Sequence, residues 1–330
     1  MAASPAVRMV PGSVEVDGRV VHYAVSDNAA PDDISHGHPQ VWALNVHGYF
    51  AGGGMYWRES ARIAAGMGWR VVNPSLPGFG GSAPLPWSHL SMEGFARTLA
   101  GVLEHLGAGP VVILGHSMGG AVAVQFAHDY PERTLGIVYR DGAATVSWKE
   151  RRGILAKVLA PVSPDLGAMA DLVSAVAVDV PDFLLGRLRS TVRGIMPDAR
   201  RNLRGVADAL PVAAMLFGSD LTEHTAHVAR DQRVPIFPVW GRFDRITPRS
   251  TADEFSRVSG VEVTWVRGGH SWMIARPGTQ RSLLLTDHAG RAFVRAVHDR
   301  ARRVRAGEFL PAPVLSHPTR LAGGLPSAGR

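Results

Sequence analysis

Residues 111–120, VVILGHSMGG, constrain this chain more than any other stretch. Four apolar residues of high strand propensity run into a serine bracketed by glycines, and the next residues, GGAVAVQFAHDY, have helical spacing. A strand that passes so abruptly into a helix points to layers of parallel strands and helices. Two readings of the turn compete. Its glycines could admit a phosphate to the helix N-terminus. They could instead relieve crowding around one strained, exposed side chain, Ser117. Residues 115–120 spell neither G-x-G-x-x-G nor a P-loop, and no Lys follows. They spell G-x-S-x-G, a nucleophile elbow, in which the residues two places either side of the serine must be small. A formal G-x-G-x-x-A match at residues 78–83 is followed at once by Pro84 and Pro86, so it cannot open the helix that a dinucleotide fingerprint requires.

The rest of the chain repeats this rhythm. GSVEVDGRVVHYAV (12–25) alternates and turns at Asp17-Gly18, which predicts a hairpin. QVWALNVHGY (40–49), WRVVNPSLPG and TLGIVYRDG read as strands, and GMYWRESARIAAGMG and residues 91–107 as helices. After Asp141-Gly142 the strands stop. Residues 147–232 hold only helical segments, and strands resume at VPIFPVWG (234–241) and VEVTWVRGG. The expected fold class is therefore α/β, a mostly parallel central sheet flanked by helices, with an inserted all-helical cap. Residues 1–146 and 234–305 would form the two parts of the core and 147–233 the cap, while the Pro- and Gly-rich tail 306–330 is expected to be disordered.

Composition narrows the chemistry. There is no Cys, which excludes disulfides, thiol catalysis and Cys-ligated zinc. The net charge of +7 suggests nucleic acid until it is located: residues 291–330 hold eight Arg against Asp299 and Glu308, so the main body is electrically ordinary. Phe293, Val294, Val297, Ala301 and Val304 make an apolar stripe there, and the arginines are expected to form the solvated face of a terminal helix. No apolar h-region opens the chain, and no run reaches the roughly 18 apolar residues of a membrane span. The expectation is a cytoplasmic protein with no nucleic-acid partner and no stable membrane insertion; the sequence sets no oligomeric state.

A serine hydroxyl is a weak nucleophile without a base to take its proton and an acid to orient that base. Of 14 His, His270 alone follows the last expected strand on a glycine turn, downstream of Ser117. His116 lies inside the elbow and is expected to point away. Asp244, in FPVWGRFDRITP, ends a strand and gives the order Ser, Asp, His; Asp141, in IVYRDG, also ends a strand and is the alternative acid. The main-chain N–H of Tyr49 or Phe50, in NVHGYF, with that of Met118, could form an oxyanion hole, with His47 bracing the loop. His36 with His38, and His224 with His227, lack a third ligand nearby, so no metal is expected, and no cofactor.

Taken in order and spacing, HGYF, LPGFGGS, GHSMGG, GRFDRITP and GGHSW resemble the α/β-hydrolase superfamily. The resemblance covers roughly residues 12–146 and 234–305 and is nearest to the cap-bearing branch of esterases, lactonases, cofactor-free haloperoxidases and carbon–carbon bond hydrolases. Two positions depart from the pattern: Tyr49-Phe50-Ala51 where Pro often follows HG, and Ser75 where Asp often precedes LPG. Members that use Asp at the elbow act on epoxides and haloalkanes, so Ser117 implies acyl transfer. The apolar cap implies a largely apolar small-molecule ester, thioester or lactone, with Trp87, Met169, Val173, Leu184 and Trp272 as candidate pocket residues. A carbon–carbon hydrolase would use a cap cation such as Arg187, Arg189 or Arg193 to read a carboxylate. A non-catalytic ligand receptor on the same fold is the rival from another class.

Overall fold

The computed structural model describes residues 7–28, 41–145 and 188–308. Strand β5 (Val111–His116) shows how one sheet organises two cores. Successive side chains of a strand face opposite ways: Val111 and Ile113 enter one buried cluster, Val112 and Leu114 the other. Among the described residues the sheet has eight strands, in the order β1-β2-β4-β3-β5-β6-β7-β8. The others are β1 (Met9–Val16), β2 (Arg19–Ser26), β3 (Trp42–Val46), β4 (Arg70–Pro74), β6 (Thr134–Arg140), β7 (Ile236–Gly241) and β8 (Thr264–Val266). β1 and β2 form the expected hairpin, Val16 opposite Arg19 across Asp17-Gly18, both of which have positive φ (49° and 73°) as a two-residue turn of this twist requires. From β4 to β8 every neighbouring pair is parallel. Such strands, covered on both faces, read as the continuous apolar runs seen here.

Helices α1 (Trp57–Met67), α2 (Met92–His105) and α3 (Met118–Asp129) link the early strands. Ser91 caps α2 by accepting the Gly94 N–H, without the full capping box. Between β6 and β7 the described residues form α4 (Leu188–Arg204), α5 (Val206–Gly218) and α6 (Thr222–Arg230). After β7 come α7 (Arg249–Ser259), α8 (Trp272–Ala275), α9 (Thr279–Thr286) and α10 (His288–Arg305). Helices α2, α3 and α7 cover one face through Phe95, Leu99, Val122, Phe126 and Phe255, and α1 and α10 cover the other through Ile63, Phe293 and Val297. Each such side chain contributes about 1.5–3 kcal/mol by leaving water. The tail from residue 309 lies outside the described residues. Among the described residues no helix is long and apolar enough to cross a membrane.

One arginine of the terminal helix departs from expectation. Arg300 is buried, and its guanidinium donates to the carbonyls of Thr134, Pro131, Gln232 and Arg233. It closes the start of β6 and is not part of the solvated face.

The strand order places a switch point between β3 and β5. The chain leaves β3 for β4 on one side and returns to β5 on the other, so the loops after β3 and β5 diverge at their carboxyl ends. A ligand crevice forms at such a point.

Candidate active site

Ser117 sits where β5 meets α3, with φ 53° and ψ −119°. These are the angles of the first central residue of a type II′ turn, a conformation glycine dominates. The main chain holds it there: Ser117 N–H donates to Arg140 O, and Gly120 and Ala143 N–H donate to Ser117 O. The flanking glycines are required by space. A Cβ on Gly115 would lie 2.5 Å from Gly119 O, and one on Gly119 would lie 2.3 Å from Val46 O. Ser117 is half-buried, and its hydroxyl has no hydrogen-bond partner among the described residues.

The loop after β3 runs beside this turn. A Cβ on Gly48 would stand 3.1 Å from Ser117 Cβ. The Ala51 N–H donates to Gly48 O, closing a turn in which the N–H groups of Tyr49 and Phe50 take no part. Phe50 has φ 57°, the left-handed region that a bulky residue enters only under constraint. The Met118 N–H opens α3 and belongs to the first-turn donors that a helix leaves without an intrahelical acceptor. His47 braces the loop: its Nδ1–H donates to Gly48 O (2.7 Å) and its Nε2 accepts Leu76 N–H (2.8 Å). Burial pulls its pKa down to about 4, so the ring is neutral.

Asp244 and His270 meet at the ends of β7 and β8. Asp244 Oδ2 lies 2.7 Å from His270 Nδ1 and accepts Thr247 Oγ1–H at 2.6 Å, while Oδ1 accepts the N–H groups of Ile246 and Thr247. Burial pushes the Asp244 carboxyl up, but His270, Thr247 and Asp141 outweigh it and hold it below the ordinary range. Asp141 is oriented differently. Its oxygens accept Gly241 N–H (2.8 Å) and Trp272 Nε1–H (2.6 Å), tying the end of β6 to β7 and to α8. Burial first, then the charge on Asp244, raises its pKa well above normal, so Asp141 holds its proton beside an ionised Asp244. Among the described residues Asp141, Asp244 and His270 are the one group whose donor atoms converge within 4.8 Å as a metal would need. Those atoms are engaged with one another and with Gly241, Trp272 and Thr247. His224 and His227 do find a third imidazole, His128, with ring centroids 4.1 and 5.4 Å away, but the donors do not converge in the same way.

Among the described residues no hydrogen bond joins Ser117 to His270; His116, next to the serine in the chain, reaches His270 and does not point away. Its ring lies 4.7 Å from that of His270, and its Nε2–H donates to the His270 carbonyl at 2.8 Å. Its Nδ1 then accepts the Tyr56 hydroxyl (2.6 Å), which itself accepts Gly48 N–H (3.4 Å). The loop after β3, the elbow and the histidine loop thus share one chain of hydrogen bonds. Burial, then the neighbouring His270, keeps His116 neutral. Beneath it Arg140 pairs with Glu59 at 2.8 Å and donates to Asn45 Oδ1 and Leu114 O. The two His116 bonds of this network span 60 and 154 positions, and only the polar residues inside apolar strands hint at it in the sequence.

The pocket candidates separate. Trp272 is fully buried with its indole N–H on Asp141, which it braces. Trp87 is 77 % exposed on a short 3-10 helix (Trp87–His89). Met169, Val173, Leu184 and Arg187 lie outside the described residues, and Arg189 and Arg193 fall on α4. Ala213 and Phe217 of α5, which no motif marks in the sequence, form a small apolar cluster against Tyr49 and Ala143, next to the serine turn.

Comparison with known proteins agrees with this architecture. A putative non-heme haloperoxidase of Mycobacterium phage D29 is 27% identical over 72% of this chain and 84% of its own length. A 2-hydroxy-6-oxo-6-phenylhexa-2,4-dienoate hydrolase of Burkholderia cepacia is 27% identical over 62% of this chain and 72% of its own. The solved structure of a thermophilic esterase from Thermogutta terrifontis superposes with a TM-score of 0.60 at 21% identity, over 88% of this chain and 99% of that one, a likeness of fold. The family model for the alpha/beta hydrolase fold matches residues 44–271, more than half of the chain, from within β3 to just past His270, and the protein belongs to the α/β-hydrolase superfamily.

Proposed function

We propose that the protein is a serine hydrolase that cleaves a largely apolar ester, thioester or lactone through an acyl-enzyme. The observation that carries this reading is the 2.7 Å pair of Asp244 and His270, with the His270 carbonyl bonded by His116, the residue before a serine held at glycine-like angles. Asp244, ionised and fixed by Thr247, holds the Nδ1–H tautomer of His270 and leaves Nε2 as the base. His270 takes the Ser117 proton as Oγ attacks the carbonyl carbon. The Met118 N–H, with that of Tyr49 or Phe50, receives the oxyanion. His270 returns the proton to the leaving alcohol or thiol, and water, activated the same way, releases the acid and regenerates Ser117.

The apolar cluster of Ala213, Phe217, Tyr49 and Ala143 beside the turn supports an apolar substrate. The same reading makes the partner a small molecule in the cytoplasm, not a nucleic acid. A second reading, hydrolysis of a carbon–carbon bond in a dienoate, draws on the relative from Burkholderia cepacia; the phage relative likewise keeps a peroxidative variant of the same scaffold in view. Turnover of p-nitrophenyl esters of increasing acyl length, compared with Ser117→Ala, tests the reading. Rates that rise with acyl length in the wild type and vanish in the variant support it; a wild type inert toward every ester overturns it.

A further inference from the structure

The loop that carries Tyr49 and Phe50 is gripped from outside the core by helix α4. Asp198, Arg201 and Asn202 stand at i, i+3 and i+4, so they share one face of that helix. Asn202 is 2% exposed, and both its amide hydrogens and its oxygen are engaged. Nδ2 donates to Phe50 O and Ala51 O, both at 2.9 Å, and Oδ1 accepts Gly80 N–H at 2.8 Å. The orientation of the amide is fixed by its partners, since two carbonyls can only accept and one N–H can only donate. Asp198, also buried, lies against the same loop: Cβ atoms on Gly52 and Gly54 would stand 2.6 and 2.7 Å from its carboxylate. Arg201 reaches Gly80 O at 3.5 Å, and from α5 the Ala209 carbonyl accepts the Tyr49 hydroxyl at 2.9 Å.

The consequence lies in the geometry of one peptide. Phe50 occupies the left-handed region, where its side chain costs free energy, and Asn202 bonds the carbonyls of Phe50 and of the next residue. The Phe50 carbonyl shares its peptide with the Ala51 N–H, which closes the turn on Gly48 O, and the Ala51 carbonyl belongs to the next peptide; holding both fixes the exit of the turn whose two central N–H groups are those of Tyr49 and Phe50. The same side chain ties this loop to the loop at Gly80, which follows β4. We infer that Asn202 is a positioning residue for oxyanion stabilisation, and that α4 is part of the catalytic apparatus and not only a cover. The inference rests on the serine-hydrolase reading above. A docking role alone would give Asn202 no reason to bond the two carbonyls next to the proposed oxyanion donors and to use its whole amide doing so.

The test compares wild type, Asn202→Leu, Asn202→Asp and Leu203→Ala, the last on the 66% exposed side of the same helix. Active sites are first counted by stoichiometric fluorophosphonate titration, so that unfolded protein drops out of every rate. Per titrated site, kcat toward a p-nitrophenyl ester should fall about 10- to 100-fold in Asn202→Leu, the range a misplaced donor produces, with KM changed less than about threefold. Inhibition by an apolar trifluoromethyl ketone, whose serine adduct bears an oxyanion, should weaken in proportion to kcat/KM. Asn202→Asp should do as badly, because a carboxylate repels the two carbonyls, and Leu203→Ala should match wild type. Unchanged kcat per site and unchanged ketone affinity in Asn202→Leu overturn the inference, as does a rise in KM alone. A wild type that neither labels nor turns over esters overturns the serine-hydrolase reading instead, which keeps the two failures apart.

Discussion

Replacing Ser117 with glycine should stabilise the fold while abolishing the proposed chemistry. At φ 53° and ψ −119° the Cβ of Ser117 is held in a region L-residues avoid, at a cost of about 1–3 kcal/mol. Glycine removes that strain but enters the fold with more unfolded-state freedom to lose, about 0.5–1 kcal/mol. Alanine is the control, since it keeps the Cβ and the strain and deletes only a hydroxyl with no partner among the described residues. Ser117→Gly should therefore be more stable than Ser117→Ala by roughly 0.5–2 kcal/mol, or a few degrees in Tm at about 2 °C per kcal/mol for a chain of this size. Urea unfolding followed by circular dichroism, with a thermal melt beside it, measures the difference. A glycine variant equal to or less stable than the alanine variant refutes the claim that the turn is strained through its side chain.

Other outcomes follow from the same geometry. Gly119→Ala drives a Cβ to 2.3 Å from Val46 O, so a stability loss at or beyond the top of the roughly 1–3 kcal/mol overpacking range is expected, read by urea midpoint or soluble yield. Asp244→Asn should lower kcat about 10⁴-fold by removing the partner that fixes the His270 tautomer, whereas Asp141→Asn, replacing a carboxyl that keeps its proton, should lose far less; the reverse ranking in ester kinetics would reassign the acid. Asp141 also has a stability sign: above pH 3.8 the unfolded chain releases a proton that the fold retains, so Asp141→Asn should gain on wild type as pH rises. For His47 the sign is opposite. Below pH 6.5 the unfolded chain takes up a proton that the buried ring refuses until about pH 4, so the advantage of wild type over His47→Gln should shrink by about 3 kcal/mol across that window. Arg300→Met should cost about 1–3 kcal/mol in a thermal melt by leaving buried carbonyls of the β6 start without a donor.

Local rules carry much of this molecule. The alternation in Val111 to Leu114 and the glycines of the elbow are set by neighbours within a few residues, so they read directly from the sequence. So do the positions of Asp244 and His270 after strands. What the sequence leaves open is where a side chain at a strand end turns. Asp141 and Asp244 look alike on paper, and only the pairing of β6 with β7 points one toward Gly241 and Trp272 and the other toward His270. Trp272 follows His270 by two residues, and nothing in the sequence tells that its indole N–H reaches Asp141, 131 residues away. Arg300 did carry a legible sign: it continues the spacing of Phe293 and Val297 on the buried side of α10, where a cation needs partners. The partners of Asn202 and His116 lie 60 to 154 residues away, with no local pattern to announce them.

Chemical labelling at one residue tests the central claim most directly. Wild type and Ser117→Ala are treated with a fluorophosphonate and followed by intact mass, peptide mapping and ester turnover. A single adduct on the Ser117 peptide of the wild type, formed in step with loss of turnover and absent from the variant, is the expected result. Turnover that persists in Ser117→Ala, or inactivation of the wild type with the adduct on another residue, would contradict it.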